Sequence, residues 1–143
     1  MRIHQISVFL ENRSGQLAQI TRTLAEQHIN LRAISIAETS DYGLVRLIVD
    51  DAPKASAILL EQGNILSMTP VWAVEVPDRP AGLSDLLTVL ADNNVDVEYM
   101  YSLFAGQSGH AYMVLRISDD EGFQKALAGT DIKVVGNDVL GLK

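Results

Sequence analysis

Apolar and polar positions alternate near the start of the chain, where Ile6, Val8 and Leu10 fall on one side of a period-two pattern and Gln5, Ser7 and Phe9 on the other. That period predicts a strand with one face buried. Leu17, Ile20, Leu24 and Ala25 then follow helical spacing. Two β-branched-rich runs, 31–37 and 44–49, flank Ser40-Asp41-Tyr42-Gly43 and predict a hairpin. Asp51, placed before Pro53, predicts the cap of a second helix that Gly63 ends, and a last strand runs from about Ile65. The order is βαββαβ.

The second half repeats it. A strand ends at Val76, a helix carries Leu83, Leu86, Leu87, Leu90 and Ala91, and strands follow at 95–104 and 111–117. A helix around Phe123, Ala126 and Leu127 stops at Gly129, and a short final strand is expected at 139–142. The repeat is visible residue by residue, because Arg13, Leu17, Leu24, Ala25, Ile29 and Leu31 recur 66 positions later as Arg79, Leu83, Leu90, Ala91, Val95 and Val97. Past the second hairpin the offset grows to 69, explained by a longer turn at Gly106-Gln107-Ser108-Gly109. Two domains are expected, 1–70 and 71–143, with no flexible linker, since 68–76 reads as one sheet passing directly into the next.

Composition narrows the function. With 143 residues, 48% hydrophobic and 20% charged, the chain can bury a core in each half. A net charge of −7 repels phosphate backbones and anionic surfaces, so neither nucleic acid nor membrane is an expected partner. The absence of cysteine removes disulfides and thiolate chemistry and fits a reducing, cytoplasmic setting. No segment approaches the ~20 apolar residues that a bilayer crossing needs.

The loop between first strand and first helix reads Asn12-Arg13-Ser14-Gly15-Gln16-Leu17 in one half and Asp78-Arg79-Pro80-Ala81-Gly82-Leu83 in the other. Both resemble the ACT-domain pattern of Asp or Asn, any residue, Pro, Gly, any residue, Leu. After each helix, His28-Ile29-Asn30-Leu31 and Asn94-Val95-Asp96-Val97 are similar to the family's Gly-Ile-Asn-Ile entry into the second strand. The resemblance implies an α+β fold of two ferredoxin-like ACT units with antiparallel sheets packed in tandem. It also implies a non-enzymatic regulatory protein that binds an amino acid or related small molecule at an interface between domains and acts on a separate enzyme or pathway. A homodimer is expected, and no cofactor or metal. A ligand-free structural or dimerisation module is the alternative.

A helix N-terminus presents unpaired N–H groups and positive dipole charge to a carboxylate, and Ser14-Gly15-Gln16 and Pro80-Ala81-Gly82 stand at that place. Asn12 or Asp78 would accept from the ammonium group of the same ligand. These residues serve equally as plain helix caps. Arg13 and Arg79 either grip the carboxylate or are simply solvated. Ser14 stands where the family prefers Pro, and Ala81 where it prefers Gly, so the second loop is expected to differ in shape from the first. Tyr99 and Tyr101 share a strand face, either lining a ligand cleft or forming a half-buried sheet surface or dimer contact.

Enzymatic chemistry has little to stand on. His4, His28 and His110 are scattered, and Gly106-Gln107-Ser108-Gly109-His110 lacks the spacing and the strand-to-helix context of a nucleophile elbow. Asp50-Asp51 and Asp119-Asp120 sit where helices begin, as the dipole explains. RNA-recognition modules share the βαββαβ order, but the third strands here, 44–49 and 112–117, lack their basic and aromatic run.

Overall fold

The computed structural model describes residues 1–11, 15–38, 42–104 and 110–143. In chain order the elements are β1 (Ile3–Glu11), α1 (Gln16–Glu26), β2 (Leu31–Glu38), β3 (Tyr42–Val49), α2 (Ala52–Glu61), β4 (Leu66–Pro77), α3 (Gly82–Asp92), β5 (Val97–Leu103), β6 (His110–Ile117), α4 (Asp120–Leu127), β7 (Lys133–Val135) and α5 (Asn137–Leu140). This is the βαββαβ order twice, with one short helix added, and β4 runs unbroken through the junction of the two halves. Among the described residues no helix is long and apolar enough to cross a membrane.

Two compact units form: one comprises His4–Thr69 with Gly141–Lys143, the other Met1–Ile3 with Pro70–Leu140. In the first, β3 lies between β1 and β2, antiparallel to both, with Ile6 opposite Leu47 and Ile34 opposite Leu47. The apolar stripes of α1 and α2 close one face of that sheet, where Ile6, Val8, Ile20, Leu24, Val45, Leu47 and Leu59 are fully buried. Gln5 and Ser7, on the opposite face, are buried too, and Gln5 Nε2 donates to Ser7 Oγ at 2.9 Å. The expected one-sided strand is thus covered on both faces. The backbone N–H of Lys143 donates to the Asp50 carbonyl at 2.8 Å, tying residues 141–143 to this unit.

In the second unit the antiparallel order is β5-β6-β4-β7, with α3 and α4 over a core built on Trp72, Val74, Leu86, Leu90, Leu115, Ile117 and Phe123. Trp72 stacks on Phe123 with centroids 5.0 Å apart. Its indole N–H donates to Asp120 Oδ1 at 2.8 Å, while Arg2 donates to Asp120 Oδ2 at 2.8 Å and lies over the Trp72 ring, 5.9 Å from its centroid. One carboxylate therefore satisfies a core indole and holds the segment Met1–Ile3 in place.

The repeat extends to backbone detail. Asp51 caps α2 by accepting from the Lys54 N–H, and Asp119 caps α4 by accepting from the Gly122 N–H. After α1, His28 N–H donates to Ala25 O and Ile29 N–H to Leu24 O; after α3, Asn94 N–H donates to Ala91 O and Val95 N–H to Leu90 O. Both are Schellman closures with the accompanying apolar pair, Leu24 with Ile29 and Leu90 with Val95. The β2/β3 and β5/β6 ladders each slip once, between Leu31 and Ala33 and between Val97 and Tyr99, which are again 66 positions apart.

The expected final strand at 139–142 is not formed. The strand is β7, where Val134 and Val135 reach the edge of β4 opposite Val74 and Ala73. Residues 137–140 instead make one helical turn, which buries Leu140, leaves Val139 58% exposed and ends at Gly141, φ 67°.

Candidate functional site

In the first unit the chain leaves β1 at Glu11 and enters α1 at Gln16. Asn12, Arg13 and Ser14 lie outside the described residues. Gly15 is the N-cap with φ 88° and ψ −12°, in the left-handed region. A Cβ at Gly15 would meet nothing within 4 Å, so conformation rather than crowding calls for glycine there. The Gly15 carbonyl accepts from the Gln19 N–H at 2.9 Å, but glycine has no side chain to return to the first-turn N–H groups. That combination suits a ligand carboxylate. Leu17 anchors the turn in the core, and Gln16 beside it is half-buried.

The second loop takes another shape. Ala81 is the N-cap with φ −88°, on the right-handed side, and Gly82 is buried as the first residue of α3. A Cβ on Gly82 would collide with the Pro77 carbonyl oxygen, which already accepts from the Arg79 N–H at 2.9 Å. Glycine thus serves a left-handed φ in one loop and a close backbone approach in the other. Asp78, Pro80 and Leu83 are exposed, and the Arg79 guanidinium pairs with Asp85 Oδ2 at 3.1 Å. Both partners are more than half exposed, so the pair adds little stability, yet it engages the cation that the sequence offered to a carboxylate. Asp85 escaped the sequence reading; its one signal was an acid in the first turn of a helix, six residues after an arginine.

Tyr99 and Tyr101 stack along β5 with centroids 6.4 Å apart. Tyr101 lies opposite Val114, which lies opposite Ala73, and Tyr99 lies opposite Arg116, two places further from Pro77 along the strand direction. At ~3.3 Å per residue, Tyr101 is about 13 Å along the strand direction from the second loop and Tyr99 about 20 Å. The tyrosine pair and that loop therefore occupy different ends of their sheet. The polar group near the loop is different: Tyr112 Oη donates to Glu75 Oε1 at 3.4 Å, and His110 Nδ1 lies 3.7 Å from the same oxygen. Burial first, then the charge of Glu75 and its hydrogen bond, raise the Tyr112 phenol above the usual tyrosine range, so Tyr112 keeps its proton at neutral pH.

The family model for the ACT domain pair matches residues 1–141. This chain belongs to the ACT family. Its ACT pair is similar to the crystal structure of a protein from Bacteroides thetaiotaomicron, with 34% identity, 99% of this chain and 96% of that one covered, and a TM-score of 0.89. Regulatory subunits of aspartate kinase share the fold: that of Thermus thermophilus, in its ligand-free form, has 17% identity, coverage of 87% and 89%, and a TM-score of 0.63. That of Thermus flavus has the same identity and coverage with a TM-score of 0.56. No curated protein matches this ACT pair in sequence.

Proposed function

We propose that this ACT pair is a non-enzymatic regulatory protein that binds a free amino acid at the loop between β1 and α1 and acts on a separate enzyme in the cytoplasm, as a homodimer. The observation that carries the reading is Gly15, which opens α1 in the left-handed conformation and has no side chain of its own to cap the first turn. The positive end of the helix then receives no side-chain cap from its N-cap residue, and it would meet a carboxylate without a dedicated cation. The fold shared with aspartate kinase regulatory subunits supports the regulatory role.

The test is thermal unfolding in the presence of each of the twenty amino acids. A ligand that binds only the folded state raises the midpoint by mass action, by ~2.7 kcal/mol of added stability at a hundred times Kd. The shift should vanish in Gly15→Val and survive in Ala81→Val. Loss in Ala81→Val with retention in Gly15→Val would move the site to the second loop. No shift from any amino acid would leave the ligand-free dimerisation module.

A further inference from the structure

Helix α3 carries two apolar rows. Leu86 and Leu90 belong to the buried core with Trp72 and Phe123. Leu83, Leu87 and Ala91, each four residues from the next, form a second row outside that core. Beside it run the small side chains of Ser84 and Thr88, and with Pro80 the two rows line one open groove that holds no charged residue.

The first half of the chain shows the same helix without that second row. At the repeat offset of 66, Leu86 and Leu90 correspond to Ile20 and Leu24 of α1, and all four are buried. Leu83 corresponds to Leu17, which packs against its own core, whereas Leu83 is 38% exposed. Leu87 and Thr88 correspond to Thr21 and Arg22. The outer face is therefore polar on α1, where the Thr21 hydroxyl donates to the Leu17 and Ala18 carbonyls at 3.1 and 3.0 Å, and apolar on α3. The two helices keep one inner face and differ on the outer one. A solvated helix gains nothing from that change, and a helix that meets a partner does.

Shape and charge together name the partner. A ridge of leucines beside a furrow of small side chains is self-complementary about a twofold axis, each ridge entering the furrow of the other copy. With the axis between Leu87 and Thr88 the helices run antiparallel, and Asp92 of each copy comes to the first turn of α3 in the other. Asp92 ends its own helix, where the dipole disfavours an acid, and its carboxylate has no hydrogen bond or ion pair among the described residues. At the opposite end Ala81, the N-cap, gives no side-chain hydrogen bond, and Arg79 adds a cation. An acid out of place on its own helix thus meets the positive end of its mate.

We propose that α3 is the self-association surface of this protein, pairing with α3 of a second copy across a twofold axis near Leu87 and Thr88. This names the interface of the homodimer proposed above and rests on that part of the reading alone, since it needs no amino acid to bind.

Sedimentation equilibrium of the intact chain and cysteine cross-linking provide the test. Leu87→Thr with Thr88→Arg writes the α1 residues into α3, an exchange that the first half already carries. It should raise the dimer dissociation constant at least ~tenfold, because two leucines leave the interface and two cations enter it. Unchanged circular dichroism and Trp72 emission show that the fold is kept; should that variant unfold, the cysteine pair decides. The chain has no cysteine of its own. Thr88→Cys should give a covalent dimer on treatment with diamide, and Arg22→Cys, the equivalent place on α1, should not. A folded double variant that dimerises as the parent does, or cysteine variants that cross-link equally, would overturn the proposal and leave the homodimer standing. A parent chain that stays monomeric at high micromolar concentration would overturn both.

Discussion

His28 and Asn94 stand 66 positions apart in the sequence and hold the same left-handed backbone, φ 58° and φ 56°, each closing the helix before it. Among the described residues they are the non-glycine positions with positive φ. The same closure after α2 is made by Gly63, φ 87°, with Asn64 N–H donating to Leu59 O. An L-residue in this region pays ~1–2 kcal/mol, and asparagine less because its short polar side chain tolerates the conformation. His28→Gly should therefore stabilise the protein by about 0.5–1 kcal/mol after allowing for the entropy of glycine in the unfolded chain, and Asn94→Gly by less. Urea unfolding midpoints check this, and a drop in midpoint for His28→Gly would show that the imidazole contributes more than its backbone costs.

The two loop glycines should fail differently. Gly15→Ala meets no atom but must hold φ 88°, a cost of about 1 kcal/mol. Gly82→Ala drives a methyl group into the Pro77 carbonyl and forces backbone to move, a change in the ~1–3 kcal/mol range of overpacking or beyond. Thermal midpoints of the two variants should fall in that order; equal losses would mean that the chain around Pro77 yields easily.

Asp120 serves two donors, so Asp120→Ala should cost roughly 1–3 kcal/mol, chiefly by leaving the indole N–H of Trp72 without its partner. Arg2→Ala removes a part-exposed pair and should cost under about 1 kcal/mol. Trp72 is the single tryptophan, so its emission reports the site directly: a red shift is expected in Asp120→Ala. An unshifted spectrum with unchanged stability would sink the assignment.

Alkaline pH supplies a fourth check. The Tyr112 phenol is raised in the folded state, so the fold binds that proton more tightly than the unfolded chain does. Its contribution is complete below the ordinary tyrosine value of ~10 and is lost as pH rises through the higher folded value. Stability should then fall more steeply with pH above about 10 in the native sequence than in Tyr112→Phe. Parallel curves would remove Tyr112 from the account.

Much of the fold was legible because the repeat is written in core positions: Leu24 and Leu90, or Ile29 and Val95, recur where the chain must bury the same atoms. The end of the second half was not, since Val139, Leu140 and Leu142 look as apolar as a strand while the choice fell to 133–135, where a free stretch of β4 accepted a partner. Pairing across 60 residues has no local signature. The engagement of Arg79 by Asp85 depends on the turn made at Gly82, and the hollow between the end of β1, α1 and the α2–β4 turn gathers residues near positions 11, 16–19 and 62–65, which share no motif.

The division of the chain sets an order of events during synthesis. Residues 141–143 belong with His4–Thr69, and Met1–Ile3 belong with Pro70–Leu140. Domains in tandem ordinarily fold one after another as the chain emerges from the ribosome. Here the unit whose residues appear first lacks its last segment until the other unit has been translated in full, while the later unit waits on nothing, since its earliest residues are already present. The half that is made second can finish first.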